Sequence, residues 1–129
     1  MRDYDALLAF VAGRTTLPFD WKRNDCVRYA AGAVLAQTGV DPLRGVIRWG
    51  TARGAVRVLD RMGGMEAAVS SRLTAIAPAM AARGDIAGVP DDDLGLRLMV
   101  IEGETLVGPG DAGNRRLKRS VMTHAWRAC

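Results

Sequence analysis

The chain has 129 residues, 49% of them hydrophobic, with two cysteines, one histidine and a formal net charge of +4. That length suits one domain, residues 1–129, with a modest core, and no apolar run approaches the roughly 20 residues of a membrane-spanning helix. Two cysteines are too few for a disulfide framework, so Cys26 and Cys129 read as free thiols made in a reducing cytoplasm.

The opening Met1-Arg2-Asp3-Tyr4-Asp5 is no lead into a signal-peptide core, and the expectation is a soluble product without signal peptide or membrane span. The positive charge is mostly arginine spread along the chain; it predicts a solvated basic face, with no dedicated nucleic-acid surface.

The first half, residues 1–80, reads as mainly helical. Residues 4–12 place Leu7, Leu8 and Val11 on one side of a short helix that Gly13 ends. A second helix starts at Cys26, with Asn24 as N-cap and Asp25 in the first turn; Val27, Ala30, Ala31, Val34 and Leu35 recur at helical spacing until Gly39. Asp41-Pro42 and Gly45 reverse the chain. Thr51 caps a third helix through Met62, stopped by Gly63-Gly64, and a weaker helical piece follows over residues 65–73.

From Arg83 the pattern changes to short apolar runs separated by turns, as a small antiparallel sheet requires. Residues 86–89, 94–101, 105–107 and 121–127 are the predicted strands, with a hairpin turn at Glu102-Gly103 and a mobile glycine-rich loop over 108–114.

The placement of Cys26 at a helix start carries the chemistry. Unpaired N–H groups of a first turn favour thiolate, the species that attacks a carbonyl, although a lone cysteine is more often a small buried core residue. A nucleophilic thiolate also needs a base, and His124 is the one histidine available. The alternative role of His124 is a satisfied surface or core ring.

Other polar groups read as structural. Asp25 caps its helix or orients Arg28, Asp85 bonds local backbone at a strand entrance, and Asp91-Asp92-Asp93 beside Pro90 forms a solvated turn. The 108–113 segment lacks the Gly-Lys-Ser ending of a phosphate loop, so nucleotide binding is rejected. Cysteine and histidine spacing gives no zinc set, and no cofactor or metal is expected. Trp21, Trp49 and Trp126 are core or interface residues that could also line a groove.

A cysteine at a helix start, further helices, and then a small sheet introduced by Gly-Asp resemble the papain-like cysteine peptidases of the NlpC type. The pieces that carry the likeness are Trp21, Asn24-Asp25-Cys26 and Ala82-Arg83-Gly84-Asp85-Ile86. A nearer likeness is to small phage proteins, through Phe19-Asp20-Trp21, Asp25-Cys26, Gly39-Val40-Asp41-Pro42, Arg83-Gly84-Asp85 and Ala125-Trp126-Arg127.

The resemblance implies an α+β papain-like fold with N-terminal helices packed on a small antiparallel sheet. It also implies a virion component at a phage tail tip, synthesised in the host cytoplasm, whose ancestors cut peptidoglycan. In that pattern the histidine opens the strand after the Gly-Asp strand, near Leu94-Gly95-Leu96, where this chain has none.

Two functions follow. In one, Cys26 attacks a stem-peptide carbonyl and His124 shuttles the proton during DNA entry. In the other, the fold is an inactive assembly component held by neighbouring tail-tip proteins.

Overall fold

The computed structural model describes residues 2–129, an α+β arrangement. The helices are α1 (Tyr4–Gly13), α2 (Cys26–Thr38), α3 (Ala52–Arg61) and α4 (Met65–Ser70). The strands are β1 (Thr74–Ile76), β2 (Ile86–Asp91), β3 (Gly95–Glu102), β4 (Thr105–Gly110), β5 (Gly113–Lys118) and β6 (His124–Arg127). Among the described residues, no helix is long and apolar enough to cross a membrane.

Local chemistry sets the helix boundaries. Asp3 and Thr51 accept the amides of Ala6 and Gly54, so each satisfies a first-turn donor of its helix. Gly39 ends α2 in the left-handed region at φ 78°, its amide donating to the Leu35 carbonyl. The N-cap of α2 is Asp25, one residue later than the sequence suggests, because its carboxylate accepts the Arg28 amide. Asn24 instead donates from Nδ2 to the Leu17 and Pro18 carbonyls, tying down the approaching loop.

The six strands form one antiparallel sheet in the order β1-β6-β2-β3-β4-β5. Side chains alternate between its faces. Ile86, Leu98, Val100, Val107 and Trp126 meet the helices through Leu7, Val11, Tyr29, Val34, Leu59 and Met65. Ala87, Met99, Ile101, Leu106 and Ala125 occupy the other face, where Ala81 and Met122 join them. Two short 3₁₀ turns, Pro78–Met80 and Arg119–Val121, are joined there by Arg119, which donates to the Pro78 and Ala81 carbonyls.

Three strand readings change. Residues 108–114 are no mobile loop: they are the end of β4, a two-residue turn and the start of β5, with Pro109 paired to Asn114 and Gly110 to Gly113. Glycine there serves close approach, since a Cβ on Gly113, at φ 122°, would lie 2.0 Å from the Thr15 carbonyl oxygen. The last strand begins at His124, because residues 119–121 form a 3₁₀ turn. Strand β1, three residues that pair with Arg127, Trp126 and Ala125, carries no alternation that a sequence reading could register.

The Arg83-Gly84-Asp85 step is a structural junction. Asp85, 1% exposed, accepts the Ala82 amide at 2.8 Å, the Ala128 amide at 3.0 Å and the Arg2 guanidinium. Its own carbonyl receives the Ile101 amide. Gly84 sits at φ 87°, and a Cβ there would fall 2.0 Å from the Gln37 side-chain oxygen at the end of α2. Gln37 returns the contact by donating to the Gly84 carbonyl at 3.0 Å.

Candidate functional site

Strands β3 and β4 pair only at Val100, Ile101 and Glu102 with Val107, Leu106 and Thr105. Below that they splay: β4 runs on beside β5, while residues 95–98 of β3 pair only with β2. Cys26, at the start of α2, shares a cleft with Arg97 of β3 and with Pro109 and Gly110 of β4, and the loop before it is anchored by the Phe19 amide donating to the Gly110 carbonyl at 2.8 Å.

The result is a cleft of about 400 Å³ lined by Cys26, Phe19, Trp21, Arg97 and Arg115, among others. Phe19 and Trp21 meet edge to face at 4.8 Å on its wall. Its charges are mixed. Arg97 pairs with Asp91 at 3.2 Å, and Asp93, Asp111 and Arg115 stand nearby. Asp91 also accepts the Asp93 and Leu94 amides, which makes the acidic run a turn.

Cys26 lies at the first position of α2, as its sequence context predicts. It is only 3% exposed and packs in the helix-side core with Leu96 and Leu98. Burial pushes its thiol up to about 12; a backbone contact from Leu98 pulls the other way, and the negative charges of Asp25 and Asp91 reinforce the rise. Desolvation therefore outweighs the favourable field of the helix start. At neutral pH the sulfur is protonated.

His124 lies elsewhere. It pairs with Gly88 of β2, which in turn pairs with Leu98 of β3, so its backbone stands two strand spacings, roughly 10 Å, from the strand that touches Cys26. Its ring stacks on Trp126 at 6.0 Å. Nδ1 meets the Thr123 hydroxyl at 2.8 Å, and Nε2 faces Glu66 of α4 at 3.2 Å. It does not line the cleft of Cys26. The strand position from which the resemblance implies a base carries Leu94, Gly95 and Leu96.

Asp25 has two roles, the cap and a clamp. Buried at 1% exposure, it accepts Arg28 Nη1 at 2.8 Å and Trp49 Nε1 at 2.5 Å besides the Arg28 amide. Arg28 donates onward to the carbonyls of Trp21 and Trp49 and lies 4.3 Å from the Trp49 ring centre. This cluster fixes the segment before α2 and the 41–50 segment against one helix turn. Burial raises the Asp25 carboxyl above its ordinary value despite those donors.

Of the three tryptophans, Trp21 edges the cleft, Trp49 belongs to the clamp, and Trp126 is buried with its Nε1 donating to Ser70 at 3.0 Å. Sequence reading missed Arg97 and Arg115 as cleft residues, because only the splay of β3 from β4 brings them together. Alternation could have placed them on strands but not beside Cys26.

In sequence, no curated protein matches the chain. Residues 1–128 match the model of a family described as a domain of unknown function, DUF6950, and the chain belongs to that family.

Proposed function

We propose that the chain is a phage tail-tip protein with a papain-like, NlpC-type fold, acting as a structural or assembly component without thiol chemistry. The observation that carries the second clause is the state of Cys26: it stands where a nucleophile would stand, at a helix start beside a cleft, yet it is buried and protonated. No imidazole faces it, since the chain's single histidine is engaged with Thr123 and Glu66. A thiol hydrolase needs the base within hydrogen-bond reach. The tail-tip assignment rests on the five ordered motifs from Phe19-Asp20-Trp21 to Ala125-Trp126-Arg127. The order of a helix-start cysteine, further helices and a Gly-Asp-led antiparallel sheet supports the fold.

A second reading, an amidase or endopeptidase acting on peptidoglycan stem peptides with Cys26 and His124 as its pair, draws on the mixed-charge cleft against which Cys26 packs. The pH dependence of iodoacetamide alkylation of Cys26, measured in a Cys129→Ser background with and without His124→Ala, separates the two. The structural reading expects slow labelling that accelerates only toward pH 12 and ignores His124. An apparent pKa below about 8.5 that rises when His124 is removed would overturn it in favour of the peptidase. Quantitative mass spectrometry of purified virions tests the location: the chain should appear at a fixed low copy number in tails, and its absence from them overturns the tail-tip assignment.

A further inference from the structure

A second hollow lies under α3, enclosed by α2, α4 and the 41–50 segment, with Val34, Leu43, Val58, Leu59 and Leu73 among its walls. Four alanines, Ala30, Ala31, Ala55 and Ala68, border it, and about 70 Å³ stays open. That is several times the ~10–15 Å³ a water needs, but the surface facing the space is almost wholly apolar, and such walls hold water poorly. The space suits an apolar group.

The surroundings of this hollow carry the chain's charge. Residues 42–73 hold six arginines and no lysine against Asp60 and Glu66, while the remaining charges, twelve of each sign, cancel. Arg72 lines the hollow and donates to the Arg44 carbonyl at 2.7 Å. Arg48 adjoins Ile47, which is 60% exposed. Arg53, Arg57 and Arg61 follow one another at four-residue spacing on the solvent side of α3, with a rise of about 6 Å per step. Among the described residues, none of the six forms an ion pair.

We propose that the hollow and its arginines form a docking site for an acidic segment of a partner protein, which inserts one aliphatic side chain between α3 and the 41–50 segment. Arginine forks match carboxylates in pairs, and an apolar anchor in a desolvated pocket supplies the affinity that surface charge alone lacks. A nucleic acid would use the arginines and leave the hollow empty. The hollow shares Trp21 and Leu94 with the wall of the Cys26 cleft, but Cys26 does not line it, and the proposal does not depend on whether that thiol reacts.

The test is a fluorescence-anisotropy titration of the full chain with a labelled heptapeptide of six alternating glutamates and aspartates around a central leucine. The control peptide carries alanine in place of leucine. The leucine peptide should bind about tenfold tighter than the alanine peptide, and Ala55→Leu, which fills the hollow, should abolish the difference. Arg61→Glu with Arg72→Glu should weaken both peptides. Ala68→Val serves as the filling variant if Ala55→Leu does not fold. No binding of the leucine peptide, or equal binding of both peptides, overturns the proposal. Competition by duplex DNA as strong as by the leucine peptide overturns it in favour of a polyanion surface.

Discussion

Asp25 and Asp85 are both 1% exposed and belong to the short runs Asn24-Asp25-Cys26 and Arg83-Gly84-Asp85, but they hold different things together. Asp85 gathers Arg2, Ala82 and Ala128, groups from both ends of the described chain and from its middle. Asp25 works closer to home, on the first turn of its own helix, on Arg28 and on Trp49. One closes the whole fold at the entrance to the sheet, and the other shapes the wall of a single cleft. A motif residue beside a catalytic-looking cysteine thus serves placement, and its loss should be felt in stability according to how distant its partners are.

The largest effect is expected from Asp85→Ala. It leaves Arg2 Nη2, the part-buried Ala82 amide and the buried Ala128 amide without their acceptor, and removal of one member of a buried charged set costs about 3–5 kcal/mol. Chemical denaturation should show that loss, with the Ile76 to Ala125 pairing of β1 and β6 exchanging amide protons early. A loss below that of Asp25→Ala would reverse the ranking of the two junctions.

Asp25→Ala should cost about 2 kcal/mol, combining a lost N-cap with unpaired Arg28 and Trp49 donors. Asp25→Asn should cost less, because asparagine caps well and carries no charge to bury. The pH dependence sharpens this. Burial raises the folded carboxyl above its ordinary 3.8, so the native state binds this proton more tightly than the unfolded chain. The contribution of this group to stability is therefore greatest at low pH and declines as pH rises through the folded value. Measured stability of the wild type relative to Asp25→Asn should improve on acidification; a decline would mean that the donors, and not burial, dominate at Asp25.

The smallest effect belongs to Cys26→Ala, a loss of one buried sulfur of about 1–2 kcal/mol. Its folded thiol is raised from 9.0 to about 12, so the wild type should lose stability as pH climbs from 9 toward 12, while Cys26→Ala in a Cys129→Ser background loses less over the same interval. Identical alkaline profiles would show that the thiol is more accessible than its packing implies.

The end of α2 and both ends of α3 were legible in the sequence because Gly39, Thr51 and Gly63-Gly64 act on their immediate neighbours, while the N-cap of α2 was misplaced by one residue. The entry to the sheet at Gly84-Asp85 was legible for the same reason. The hairpin of β4 and β5 was not, since Gly108, Pro109 and Gly110 oppose strand formation until pairing with residues 113–115 and packing under Thr15 override them. The site divides in the same way. Asp25-Cys26 could be placed at a helix start from its neighbours alone.

That Cys26 is buried against Leu98, that His124 faces Glu66 two strands away, and that Arg97 and Arg115 share one cleft are outcomes of the strand order. Sequence by itself determined the helices, the change to strands after Arg83, though not the short β1 before it, and the position of the thiol along its helix, because caps, glycines and periodicity act within a few residues. Only the tertiary structure decided which side chains meet, because register, strand order and burial arise from contacts between segments far apart in the chain, and those contacts leave no local trace.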